Sequence, residues 1–256
     1  MMVKVPDDKT LVLVTNDDGV EARGIKALAR AAKKLGSVVV VAPGMEQSAT
    51  SHSLTLHRPL RVHKEGPLRY SVDGTPTDAV MLAIHGLLPR KPDILLSGVN
   101  RGPNLGDDVT YSGTVAAAIE GTLLGVPSIA VSFSSWERAK SYDPAAEFAV
   151  RLSRETLKRG LPKGVLLNVN VPPETTKGDA KYSITRLGKR EYLDVIIEKT
   201  DPRGRPYYWI GGHEALSDDS PGTDYAAVSR GIVSITPLNV DLTHRATMKK
   251  LGEWRL

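Results

Sequence analysis

The sequence predicts an α/β fold: a Rossmann-like, mostly parallel sheet with helices on both faces. Three observations predict it. Short apolar runs of strand length alternate with amphipathic segments over the first two thirds of the chain. The runs read as buried strands, and polar, glycine-bearing loops follow several of them. The alternation implies βαβ units, whose right-handed crossovers put the strand C-terminal ends on one edge, where ligands bind.

The elements follow in order. Leu11-Val12-Leu13-Val14 is the first strand. Ile25, Leu28, Ala29, Ala32 and Leu35 then recur at helical spacing, and Gly36 stops the helix. Val38-Val39-Val40-Val41 is the second strand, ended by Ala42-Pro43-Gly44. Shorter strands are expected near 60–63 and 69–72. Thr75-Pro76 reads as an N-cap followed by proline at the first helical position, with Val80, Ala83, Ile84 and Leu87 as the apolar face. A strand over 93–96, a helix over about 114–124, a strand over 127–133, a helix over 144–159 and a strand over 165–171 complete the core.

From about residue 173 the pattern changes. Residues 182–187 and 207–210 read as two strands of a long hairpin, joined through a charged stretch with Asp201-Pro202-Arg203-Gly204. A further strand is expected over 227–235 and a short helix beyond Thr243. The expectation is one domain over 1–256: a core of about 10–172, then a hairpin and C-terminal region of about 173–256 that serves subunit contacts.

Composition narrows the function. A chain of 256 residues builds a substantial core without staples. With no cysteine, thiolate metal sites, cysteine nucleophiles and disulfides are excluded. Lys plus Arg is 34 against 29 for Asp plus Glu, a net +5 that is scattered rather than blocked. That reads as a solvated surface with a mild cationic bias, so no stable nucleic-acid complex is expected. The first ten residues lack the apolar centre of a signal peptide, and no apolar run reaches membrane-spanning length. The expected location is the cytoplasm, away from the membrane.

The chemistry concentrates in loops that follow strands or open helices. Asn16-Asp17-Asp18-Gly19 directly follows the first strand. Two adjacent carboxylates there suit one hard cation, although an Asp-Asp turn capping a helix has the same sequence. Ser48, in the loop after the second strand, can offer a neutral hydroxyl oxygen. In Ser97-Gly98-Val99-Asn100-Arg101-Gly102-Pro103-Asn104, Asn100 can offer a carbonyl oxygen, and Arg101 and Asn104 can bond a phosphate. Ser112, Gly113 and Thr114 precede an alanine-rich helix, whose N–H groups and dipole suit phosphate; plain N-capping explains the same residues. Asp73-Gly74-Thr75-Pro76-Thr77-Asp78 is best explained as a turn with a helix cap. His52, His57 and His244 read as surface histidines, and Trp136, Trp209 and Trp254 as core or interface residues. A dinucleotide oxidoreductase is disfavoured, because the first loop lacks G-x-G-x-x-G and carries negative charge.

Together, Val14-Thr15-Asn16-Asp17-Asp18-Gly19, Ala42-Pro43 with Gln47-Ser48, the segment from Asp73 to Asp78, Ser97-Gly98-Val99-Asn100-Arg101-Gly102 and Tyr111-Ser112-Gly113-Thr114-Val115-Ala116-Ala117 resemble the SurE family. These are stationary-phase survival proteins that act as nucleoside monophosphate phosphatases. Five motifs in the right order make the resemblance specific. It implies one divalent cation per subunit, Mg²⁺ or Mn²⁺, on Asp17, Asp18, Ser48 and Asn100. It implies 5′- and 3′-nucleotidase activity, with short polyphosphate as a further substrate of some members. It also implies a protruding hairpin and an exchanged C-terminal segment that builds homodimers, sometimes homotetramers. The expected reaction is metal-assisted hydrolysis of a nucleoside monophosphate, with Asp17 and Asp18 as catalytic residues and Arg101, Asn104, Ser112, Gly113 and Thr114 on the phosphoryl group. A phosphoaspartyl intermediate on Asp17 is the weaker option; a polyphosphatase or general phosphomonoesterase using the same site is the enzymatic alternative, and a nucleotide-binding module without turnover is the non-enzymatic one.

Overall fold

The structure, a computed structural model, describes residues 3–6, 9–137, 139–176, 178, 180–190, 196–210 and 218–254. Strand β1 (Leu11–Thr15) is buried along its whole length in the interior of a nine-stranded sheet. Side chains alternate across a strand, so β1 serves two cores. Val12 and Val14 pack with helix α1 (Arg23–Ala32) and helix α4 (Asp143–Arg159) on one face. Leu11 and Leu13 pack with α2 (Pro76–Leu82) and α3 (Gly113–Leu123) on the other. A strand covered on both faces needs apolar side chains at every position, which is what the sequence supplies.

Strand β2 (Ser37–Pro43) pairs parallel with β1 on one side, and β5 (Ile94–Arg101) pairs parallel with it on the other. The parallel set continues outward through β4 (Arg69–Val72) beside β2, and through β6 (Ser128–Phe133) and β7 (Val165–Val171) beyond β5. Strand β3 (Val62–Gly66) closes one edge antiparallel to β4. The chain leaves β1 toward β2 and later returns to the opposite side of β1 as β5. That reversal is the topological switch point, where a doubly wound sheet opens a crevice at its carboxyl edge. Thr15 lies opposite Ser97, so Asn16 leaves the sheet beside the last residues of β5, which stay paired with β6 as far as Arg101.

The last third departs from expectation in three places. The hairpin pairs β9 (Ile196–Thr200) with β10 (Pro206–Ile210) as a separate two-stranded sheet. Strand β8 (Tyr182–Ile184) is not its partner; it runs parallel to β11 (Val233–Asn239), which is antiparallel to β7. The sheet therefore extends past residue 172. The expected strand over 227–235 is divided into α5 (Asp224–Ser229), a turn and β11. Thr223 Oγ1 accepts the Ala226 N–H at 3.1 Å, so an N-cap starts a helix where the apolar residues suggested a strand. Helix α6 (Arg245–Leu251) forms near the C-terminal end as expected. All three tryptophans are exposed, at 62–69%, so none is core.

Candidate metal and phosphate site

The Asp17-Asp18 pair leaves the end of β1 in a turn that Gly19 completes at φ +96°. Asn16 Nδ2 donates to Gly19 O at 2.9 Å and fixes that turn. Asp17 is buried and Asp18 half-buried. The Thr114 hydroxyl donates to Asp17 Oδ1, and the Arg101 N–H donates to Asp18 Oδ2 at 3.2 Å. One carboxylate is thus tied to the start of α3 and the other to the end of β5.

Small residues allow these approaches. A Cβ on Gly113 would lie 2.8 Å from Asp17 Cβ and 3.0 Å from its Oδ2. A Cβ on Gly24 would lie 1.9 Å from Val99 O. Glycine at the two helix starts lets α3 reach Asp17 and α1 reach the end of β5, which carries Asn100.

Burial raises the Asp17 pKa, and the bond from Thr114 offsets only part of that rise. Burial first, then the Asp17 charge, pushes Asp18 up to about 6. The Glu46 charge raises both, which puts a third carboxylate within electrostatic reach. The Tyr142 hydroxyl is pushed up by burial and then by the Asp18 charge.

The neutral oxygens arrive from the end of β5 and from the loop after β2. Asn100 is buried; its Nδ2 donates to Gly102 O at 2.9 Å, which leaves Oδ1 as its remaining polar atom. Ser48 is exposed in loop 44–56, whose Gln47 N–H donates to Asp17 O at 2.8 Å. Ser48 Oγ donates to Glu46 Oε1 at 2.7 Å, so its hydrogen is spent and its lone pairs remain. Among the described residues no group of three or more His, Cys, Asp and Glu side chains suits a metal. A cation here therefore depends on the neutral oxygens as well as the two carboxylates. Two carboxylates, an amide oxygen and a hydroxyl oxygen are a hard-cation donor set, and the raised pKa values of the pair are what a bound cation would reverse. The residues fit the group.

The residues expected on phosphate are distributed around this pair. Ser112 caps α3, its Oγ accepting the Val115 N–H at 3.1 Å. Thr114 is fully buried and engaged with Asp17. The Arg101 side chain is exposed at the end of β5 and lowers the Asp18 pKa by its charge. Asn104 sits in a buried network: its Nδ2 donates to Ser132 Oγ at 2.7 Å and its N–H to Asn170 Oδ1 at 2.8 Å. Its carbonyl accepts from Asn168 Nδ2 and Asn170 Nδ2. The following loop is pinned by buried Asp224, which accepts the Gly106 N–H and the Gly188 N–H, each at 2.8 Å.

The turn at Asp73 to Asp78 is a reciprocal cap. Thr75 Oγ1 accepts the Asp78 N–H at 3.1 Å and Asp78 Oδ2 accepts the Thr75 N–H at 2.9 Å. Sequence reasoning missed Glu46, Tyr142 and Asp224. Each acts on a residue distant in sequence, and only Glu46, two residues before Ser48, gave a local hint.

A family model described as survival protein SurE matches residues 12–194. A 5′-nucleotidase SurE of Pelobacter propionicus is 55% identical over 243 residues, covering 95% of this chain and 98% of that protein. A 5′-nucleotidase SurE of Geobacter sulfurreducens is 55% identical over 245 residues, covering 96% and 94%. The crystal structure of the SurE protein from Aquifex aeolicus superposes with a TM-score of 0.84 at 43% identity, covering 94% of this chain and 98% of that one.

Proposed function

The chain belongs to the SurE family, and we propose that it is a phosphoric monoester hydrolase, a metal-dependent 5′-nucleotidase that also accepts 3′-monophosphates. Its relatives at 51–55% identity carry the name 5′-nucleotidase SurE over nearly their whole length. The observation that carries the reading is the junction of the Asp17-Asp18 pair with the start of α3 at the sheet's switch point.

Asp17, Asp18, Ser48 and Asn100 would hold one Mg²⁺ or Mn²⁺ per subunit. Bound there, the cation supplies Lewis-acid chemistry, polarising a phosphoryl oxygen and making water acidic enough to ionise near neutral pH. The chain's own groups then orient the ester. The start of α3, at Ser112, Gly113 and Thr114, meets the phosphoryl oxygens with its positive end, the Thr114 N–H being engaged with the Asp17 carboxylate. The exposed Arg101 guanidinium pairs with the same dianion and steers it to the edge. Asn104, one amide hydrogen of which is spent on Ser132, brings the other. The exposed Arg101 side chain and the buried Asp17 side chain divide the labour: one meets incoming substrate, the other stays desolvated where electrostatic effects are large.

We place the site in the core of about 10–172 and assign subunit contacts in a homodimer or homotetramer to the hairpin and C-terminal region of about 173–256. Ile196, Tyr208, Trp209 and Ile210 on the hairpin, with Leu242 and Trp254 beyond it, are exposed apolar side chains that favour such contacts. No helix among the described residues is long and apolar enough to cross a membrane; we propose action in the cytoplasm on free nucleotides. The test is phosphate release from AMP and GMP with added Mn²⁺ or Mg²⁺. Asp17→Asn is expected to lower kcat/KM by about 10³-fold and to lose bound metal by plasma emission analysis. Activity near wild type would remove the metal reading. Comparing p-nitrophenyl phosphate, nucleotides and polyphosphate decides the substrate class.

A further inference from the structure

Loop 44–56 carries Ser48 and is tied down along its length. Besides the Gln47 bond to Asp17, the Ser51 N–H donates to Tyr111 O at 3.2 Å and Ser51 Oγ to Thr110 O at 2.8 Å. At its far end, Thr75 Oγ1 donates to Ser53 O at 2.7 Å, and Asp78 Oδ1 accepts the Thr55 N–H at 2.9 Å. Within it Ala49 and Ser51 take φ of +57° and +54°. Side chains other than glycine resist that left-handed conformation, so the loop keeps its shape only while its anchors hold.

One anchor differs in kind. His52 Nε2 lies 2.7 Å from Glu120 Oε2, and the Glu120 side chain is 6% exposed. Glu120 is on α3, about two turns beyond Ser112, Gly113 and Thr114. It is a buried ionisable group that the proposed hydrolysis does not use. A buried carboxylate stripped of its partner is strongly unfavourable, so this bond holds more firmly than an exposed contact. It joins the helix whose start faces Asp17 to the loop that carries Ser48.

We infer that His52 is a positioning residue: its bond to Glu120 holds loop 44–56 against α3 and thereby sets where Ser48 stands relative to Asp17 and Asp18. The consequence for metal binding rests on the reading of Ser48 as a cation ligand; the latch itself does not. Hydrogen exchange on the metal-free full chain reads the latch. His52→Ala speeds exchange at the Gln47 and Ser51 amides tenfold or more and leaves β1 and α3 unchanged. Glu120→Gln, which keeps a side-chain oxygen facing the imidazole, changes those rates less than threefold. Unchanged exchange in His52→Ala, or a rise spread evenly over the molecule, overturns the inference.

Titration with Mn²⁺ alone reads the consequence. His52→Ala weakens Mn²⁺ binding about tenfold, Ser48→Ala does the same, and the double variant is no weaker than Ser48→Ala. Fully additive losses overturn the positioning role while leaving Ser48 as a ligand. If the wild type takes up no Mn²⁺, or Ser48→Ala leaves its affinity intact, the cation reading falls and takes the consequence with it. The exchange result still decides the latch.

Discussion

Burial and the Asp17 charge raise the Asp18 carboxyl to about 6 from an ordinary value of 3.8, and the direction of that shift fixes a stability effect. Between these values the folded protein keeps a proton that the unfolded chain has released. The unfolded state therefore binds fewer protons, and stability falls as pH rises through the window. Below about pH 4 both states are protonated and the cost is absent; at pH 7 the metal-free protein bears all of it. Asp18→Asn is thus expected to stabilise the metal-free protein at neutral pH by about 1–2 kcal/mol, discounted because Asp18 is only half-buried. The rise in Tm is about 2–6 °C, and it vanishes near pH 4. Saturating Mn²⁺ reverses the order, because only the wild type gains the binding free energy, about 2.7 kcal/mol at a hundredfold excess over Kd. Calorimetry at the two pH values with and without Mn²⁺ checks all three signs; a variant no more stable than wild type at pH 7 refutes the linkage. Gly113→Ala tests the same carboxylate from the other side. The new methyl group has 2.8 Å to Asp17 Cβ, so either the side chain or the α3 start must shift. The expected loss in kcat/KM is about 10²-fold, typical of a misplacement near 1 Å, with the far-ultraviolet circular dichroism unchanged. At this scale the acidic pair and Asn100 were legible as candidates, because polar residues interrupt an apolar run there, Asp17 and Asp18 just past β1 and Asn100 next to the last residue of β5. The His52–Glu120 and Gly106–Asp224 bonds were not, since partners 68 and 118 residues apart leave no local pattern.

Elements were legible in proportion to their burial. The β1, β2 and β7 runs are covered on both sides, so apolar residues occupy nearly every position and mark the strand directly. Strands β8 and β10 are largely exposed yet legible as strands within 182–187 and 207–210, whereas β9, exposed throughout, was not legible and the pairing was misassigned. Pairing 182–187 with 207–210 would have closed a loop of about 20 residues, whereas β9 and β10 are joined by five residues organised around Asp201, which accepts the Arg203 and Arg205 N–H groups. The shorter closure loses less chain entropy. Capping signals were dependable where they were read, at Thr75, and costly where they were overlooked, at Thr223. Thr75 has two duties, since its hydroxyl caps α2 and donates to Ser53 O in loop 44–56. Thr75→Ala is expected to cost about 1 kcal/mol of stability for the cap, or about 2–4 °C in Tm. It is also expected to speed exchange at the Thr55 amide without moving that of β7. A Tm change with no local change in exchange would mean that the cap acts on α2 alone.

At the scale of the molecule, the central question is where the exposed apolar surface of the last third goes. Ile210 is 83% exposed and Leu242 93%, with Trp209 and Trp254 above 60%. Every residue of β9 and β10 is exposed, and α6 has no buried residue. A two-stranded ribbon without a covered face is at best marginally stable in water, and a helix as short as α6 does not hold itself. Both are therefore expected to be stabilised by a second copy of the chain, in a symmetric contact that buries the same surface on each subunit. The site makes the opposite demand. Asp17, Asp18, Asn100 and the start of α3 are assembled from β1, β5 and α3 within one chain, behind a core closed on both faces. Assembly and metal binding should then separate. Trp209→Asp is expected to shift the sedimenting species from an oligomer toward the 27.6 kDa chain and to lower Tm. Mn²⁺ affinity should stay within threefold of wild type. A variant that still sediments as the wild type places the contact elsewhere. A monomer that has lost Mn²⁺ binding would mean that the carboxyl edge is completed by the neighbouring subunit, because among the described residues nothing in the packing around β1 links the hairpin to the Asp17-Asp18 pair.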